Sequence, residues 1–185
     1  MELDVLDALG RPWDDDALRA FVTTLQIAGE PHLQGDDLTT FPQNLKLGVE
    51  LTFTPAEELK VRQPDYPRGA LALHNIRFYG AGSSTHAPFT GTLPLGIRFS
   101  DTRQTLIEKL GPPDSEVTLL PSPRWDTARY ARFVVLGDDG TVLRVALQTP
   151  NIRRLGSDQC PMLFQYQCKR SRRLPIASLL NARLR

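Results

Sequence analysis

Histidine and cysteine are scarce in this 185-residue chain, and their placement removes several chemistries. The three histidines, His32, His74 and His86, have no second ligand type at metal-binding spacing. No HExxH, paired Cys-His cluster or calcium-loop register occurs, so neither a metal nor another cofactor is expected. Cys160 and Cys168 lack the C-x-x-C spacing of a redox or zinc motif. The opening "MELDVLDALG" has no basic segment followed by an apolar run, and no stretch reaches eighteen apolar residues. These features lead us to expect a cytoplasmic protein with reduced thiols, no signal peptide and no membrane span.

Nucleophile motifs are missing as well. Ser83, Ser84, Ser100 and Ser115 do not sit in a G-x-S-x-G elbow. The "GAGSS" run at 80–84 lacks the Lys and following helix of a phosphate loop, and reads as a linker. Paired carboxylates are common, but each pair has a simpler use. Asp14 to Asp16 form a charged helix start, Glu57 and Glu58 a wet loop, and Asp138 and Asp139 a turn. No catalytic residue is named, and a non-enzymatic protein is expected.

Charge is abundant but uneven. Residues 153–185 carry eight Lys or Arg against one Asp, a net of +7, which leaves −6 on residues 1–152. An acidic body followed by a basic tail suits two kinds of partner. The body complements a basic protein surface. The tail, with Lys169, Arg170, Arg172 and Arg173 close to Phe164 and Tyr166, has the charge and stacking groups of a nucleic-acid contact.

Hydrophobic period assigns most elements. Leu3, Leu6 and Leu9 mark a short helix ended by Gly10, and Leu18, Phe21, Val22 and Leu25 a longer one from about Asp14 to Leu25 or Ile27, with Gly29 and Pro31 as the stop beyond it. Val49, Leu51 and Phe53 alternate with Glu50 and Thr52, as in a half-buried strand. "ALALHNIRFYG" is a second strand whose apolar positions change phase near His74 and Asn75, the mark of a bulge. "GIRF" at 96–99 reads as a short strand. Ser100 or Asp101 then caps a helix over Leu106, Ile107 and Leu110, which stops at Gly111, Pro112 and Pro113. After a loop at "PSPRWD", residues 128–148 form a hairpin around Asp138, Asp139 and Gly140.

The resulting class is α+β, with short helices packed on antiparallel sheet. The order helix, stop, strand, strand occurs twice, which suggests two imperfect repeats. We divide the chain into a first α+β unit at 1–88, a second at 89–152, and a basic tail or docking segment at 153–185.

Residues 89–114, "FTGTLPLGIRFSDTRQTLIEKLGPPD", together with "VLDALGRP" and "GVELTF", resemble a diffuse bacterial family of small cytosolic immunity-like partners of polymorphic toxins. The same cassette followed by a hairpin is similar to the helix-then-sheet units of SmpA/BamE-type and tandem beta-lactamase-inhibitor proteins. Gly96, Gly111 and Pro113 match scaffold features, and no active residue is carried over. The resemblance implies a protein that neutralises a cognate toxin by occlusion, a basic nuclease being the type an acidic body complements. The alternative is nucleic-acid binding through 169–173. Interface candidates are Trp13 and Trp125, which flank loops or helix boundaries, with Tyr79, Phe89, Glu57 and Glu58. A packing role competes for both tryptophans: Trp13 as a staple on the first helix, Trp125 as a lid over the sheet edge.

Overall fold

A computed structural model describes residues 4–59, 66–117, 122–127, 130–137 and 140–149. Its centre is one seven-stranded antiparallel sheet in the order β1-β2-β3-β7-β6-β5-β4. The strands are β1 Gln43–Asn44, β2 Val49–Pro55, β3 Leu71–Tyr79, β4 Ser115–Val117, β5 Ser122–Asp126, β6 Ala131–Leu136 and β7 Val142–Gln148. Three short helices accompany them: α1 Val5–Ala8, α2 Asp16–Thr24 and α3 Arg103–Leu110. The α+β expectation holds, with the sheet dominant. Because β3 pairs with β7, segments 1–88 and 89–152 contribute to the same sheet. Among the described residues no helix is long and apolar enough to cross a membrane.

Alternation of side chains explains one face of the core. Val49, Leu51 and Phe53 on β2, Leu73, Ile76 and Phe78 on β3, and Val145 and Leu147 on β7 are buried with Leu18, Phe21 and Val22 of α2 and Leu106 of α3. The phase change expected in β3 is present. Thr52 pairs with Asn75 while the next residue, Phe53, pairs with Leu73, so His74 is the extra residue of a bulge. Leu73 and Ile76, three apart, therefore face the same side.

Helix ends follow cap chemistry. Asp15 caps α2 by accepting from Leu18 N at 3.0 Å. The helix closes at Leu25, the earlier of the two expected ends: Gln26 takes φ +52°, its N–H reaches Thr23 O, and Ile27 N–H reaches Val22 O. This is a Schellman closure with Gln where Gly is usual, and its apolar contact, Ile27 with Val22, is buried.

Four sequence expectations are corrected. "GIRF" is not a strand, because Leu95 and Gly96 both have positive φ in a tight 3₁₀ turn over Pro94–Gly96. Asp101 accepts from Arg98 N at 2.8 Å, which bends the chain again. The cap of α3 is Thr102, in a reciprocal box with Thr105, rather than Ser100 or Asp101. Asp101 is instead buried and paired with Lys109 at 2.7 Å. "SPRWD" is strand β5, with Pro123 ahead of the β6 pairing that starts at Arg124, so no ladder donor is lost there. Finally, β2 is buried on both faces from Val49 to Thr54 rather than half-buried.

Candidate functional site

The second face of the sheet gathers the polar residues that alternate with the core. Glu50 on β2 pairs with Arg77, its direct neighbour on β3, and accepts from Tyr79 Oη at 3.2 Å. Both members of the ion pair are largely buried, with side chains 12% and 13% exposed. Tyr79 is stacked on His86 at 3.8 Å between ring centroids and 6° between planes. On Tyr79 the Arg144 guanidinium also packs, 5.6 Å from the ring centroid. Burial, and then the Glu50 carboxylate, raises the Tyr79 phenol above its ordinary value, so it stays protonated. Burial lowers His86 and Arg144. At neutral pH the cluster thus holds one carboxylate and two guanidinium groups.

His86 reaches this position because the chain after β3 folds back over the β1–β2 turn. Ala87 N donates to Leu45 O and Phe89 N to Tyr79 O, both at 2.8 Å. Gly48 sits under this crossing with φ +67°, and a Cβ there would lie 2.2 Å from Ala87 O. Only glycine fits both the backbone angle and the contact. His86 Nε2 then meets Gln43 Oε1 at 3.1 Å and Nδ1 meets Thr85 Oγ1 at 2.8 Å.

The bulge residue His74 is fully buried. Its Nδ1 lies 2.7 Å from Thr149 Oγ1 and its Nε2 2.7 Å from Gln148 Nε2. With a neutral ring, Gln148 donates into Nε2 and Nδ1–H donates to Thr149. Burial, with Arg77 nearby, pushes the His74 pKa down to about 3 from an ordinary 6.5. The unfolded chain therefore takes up a proton below pH 6.5 that the folded chain refuses until about pH 3. Stability from this group is present above pH 6.5 and is lost between those values, about 2 kcal/mol of it from pH 8 to pH 5. Urea titrations at pH 8, 6.5 and 5 should show that slope, and His74→Gln should remove most of it. A wild-type curve flat over this range refutes the assignment.

A different surface lies beyond β1. The exposed large hydrophobic residues among the described ones are Leu38, Phe41 and Leu45, at 50%, 38% and 48% exposure. They belong to one stretch along the outer side of β2, where Thr40 pairs with Phe53 and Pro42 O accepts from Leu51 N. Glu30, Asp36 and Asp37 are exposed in the same stretch, against Lys46. Asn44 fastens it to α2, donating to Leu25 O at 3.1 Å and Gln26 O at 3.2 Å. Along α2 runs an open groove of ≈ 540 Å³ lined by Trp13, Arg19, Val22, Gln26 and Ile27 among others.

The expected interface residues separate. Trp13 lines that groove, half-buried, with its ring edge on Phe53 at 5.8 Å. Glu57 is exposed and accepts from Gly69 N at 2.6 Å, which lowers its pKa, and Glu58 is half-exposed in the same 3₁₀ turn. Phe89 packs on Phe78 at 4.8 Å and is half-buried. Tyr79 and Trp125 are corrected: at 9% and 2% exposure they are interior groups and offer no ring to a partner. Lys169, Arg170, Arg172 and Arg173, like Cys160 and Cys168, lie outside the described residues. Leu38, Phe41 and Leu45 escaped the sequence reading because 32–46 has no period. Their one signal was three large apolar residues in a stretch that reads as irregular.

No protein-family model matches the chain, and no curated protein matches it. Among solved structures it is similar to YjgB of Bacillus subtilis, a DUF4309 family protein. The two are 23% identical over 66% of this chain and 72% of that one, with a TM-score of 0.38.

Proposed function

We propose that this is a non-enzymatic binding protein of the immunity type, which neutralises a basic protein toxin in the cytoplasm by covering its working surface. The observation that carries this reading is the exposed apolar residues Leu38, Phe41 and Leu45, in a stretch at 30–46 that also exposes Glu30, Asp36 and Asp37 against Lys46. Exposed apolar anchors supply binding energy, and a surrounding rim of one charge sign selects and steers the opposite sign. Glu50 is committed to Arg77, and His74 to Thr149 and Gln148, which favours a holding role over a chemical one. We also read the body as two related units, α2 with β2 and β3, and α3 with β6 and β7. The mirrored strand order β2-β3-β7-β6 supports that reading.

The test is capture of the product of the adjacent gene by the native chain, together with protection of cells against that product. Copurification and protection are expected, and Phe41→Asp should weaken the complex by roughly 30-fold, the size of one hot-spot loss. Failure of both copurification and protection removes the proposal. The +7 charge on residues 153–185 favours a second reading, nucleic-acid binding. Salt-sensitive oligonucleotide binding that disappears when Lys169, Arg170, Arg172 and Arg173 become Ala would establish it instead.

A further inference from the structure

Across the second face of the sheet, one residue from each strand falls into a single row. Direct cross-strand partners run Gln43, Glu50, Arg77, Ala146, Phe133, Arg124, Ser115. Residues directly opposite each other in an antiparallel ladder share a face. In the middle of this row Ala146 contributes only a methyl group, between Arg77 and Phe133, whose strands are two spacings apart, roughly 10 Å. Arg144 and Gln148 lie two residues to either side of Ala146 on β7, and so face the same way. Long side chains around a short one leave a depression. Ala146, Arg144, Gln148 and Phe133 are all partly exposed, so solvent reaches it.

The groups around Ala146 are unequally satisfied. Arg77 has Glu50 as its counter-charge. Arg144 has Tyr79 beneath it, but among the described residues no carboxylate lies within ion-pair distance of it. Phe133 has the Arg124 guanidinium 4.6 Å from its ring centroid on the β5 side, while its β7 neighbour is Ala146. Asn75, diagonal to Ala146 and 3% exposed, spends its Nδ2 on Thr52 Oγ1 at 3.4 Å, and its Oδ1 has no partner. Turning that amide over would exchange which end is left unpaired and leave the deficit in place. A half-buried cation whose nearby carboxylate is already paired with Arg77, and a buried amide end without a partner, are each unfavourable. They lie on the two rows that flank the Ala146 row on one face.

We propose that the depression over Ala146 binds a carboxylate attached to a planar apolar body. Arg144 receives the anion and Phe133 packs against the body. The Glu50–Arg77 pair holds one wall in place, and the site is separate from the acidic stretch beyond β1. The same carboxylate chemistry is offered by a free aromatic acid and by the C-terminus of a peptide.

The full-length protein is titrated with benzoate, acetate, benzamide and N-acetylphenylalanine, followed by thermal midpoint and by the NMR shifts of the 144–148 amides. Benzoate at millimolar concentration should raise the midpoint, acetate should do so less, and neutral benzamide should not. Arg144→Met should fold with an equal or higher midpoint and bind benzoate at least about tenfold more weakly, the loss of a charge-assisted contact. Ala146→Leu, which fills the depression on a partly exposed face, should also abolish the response, and carries the test if Arg144→Met does not fold. A stronger response to N-acetylphenylalanine than to benzoate supports a peptide terminus as the source, and the reverse order supports a free acid. No response in wild type, or an equal response in Arg144→Met and Ala146→Leu, overturns the proposal.

Discussion

Replacing Trp125 by Ala is expected to lower the unfolding free energy by about 3–5 kcal/mol, read as a fall in the urea midpoint at unchanged slope. Trp125 is 2% exposed, and its β6 neighbour in the ladder is Arg132. Its indole N–H donates to Gly111 O at 2.9 Å. Gly111 is the C-cap of α3, so the ring satisfies a carbonyl at the helix end while filling space beside the sheet. Alanine would remove the burial, open a cavity and orphan that carbonyl. Trp125→Phe would keep part of the ring contact while losing the hydrogen bond and the burial of the indole's second ring, and should cost less than the alanine variant. A loss below about 1 kcal/mol for the alanine variant would mean that Trp125 packs little and serves as an interface anchor instead.

A second large effect is expected at Glu50. Glu50→Leu should cost about 3–5 kcal/mol, because it leaves Arg77 largely buried with no counter-charge and removes the carboxylate that also acts on Arg144. Tyr79 Oη loses its acceptor in the same step. Removing both charges is a different matter. In the double variant Glu50→Leu, Arg77→Met, most of the stability should return, since an apolar pair of similar volume avoids desolvation of both ions. The double-mutant cycle should therefore give a coupling above about 1.5 kcal/mol, with urea midpoints as the readout. Additive single and double effects would show that the pair is wet and weak.

What was legible in the sequence was whatever depends on period within one segment. The α2 stripe, the alternation in β2, the β6–β7 hairpin and the change of phase at His74 all concern residues a few positions apart. What failed depended on neighbours distant in the chain. "SPRWD" looks like a loop because it is short and holds a proline, yet β4 and β6 pair with it on either side. "GIRF" alternates like a strand, but the turn at Leu95 and Gly96 and the Asp101 side chain consume its backbone. Thr102 won the cap of α3 over Asp101 because Asp101 is drawn into the buried pair with Lys109. The row through Ala146 needs the register of six separate pairings, and no local pattern contains it. Likewise the burial of Trp125 is decided by α3 and β6 rather than by its own segment.

The extra residue at His74 also limits how this gene can vary in length. Upstream of it Leu73 points to the helix side, and downstream Ile76 and Phe78 do so only because one position has been skipped. Deleting His74 would close the bulge and leave Ile76 and Phe78 on the helix side, whereas losing the codon between Ile76 and Phe78 would turn Phe78 out of the apolar layer and drive Tyr79 into it. Substitutions at this point are survivable in proportion to what they remove. A change of length elsewhere in the strand is not, and insertions or deletions should be confined to the bulge and the outer loops.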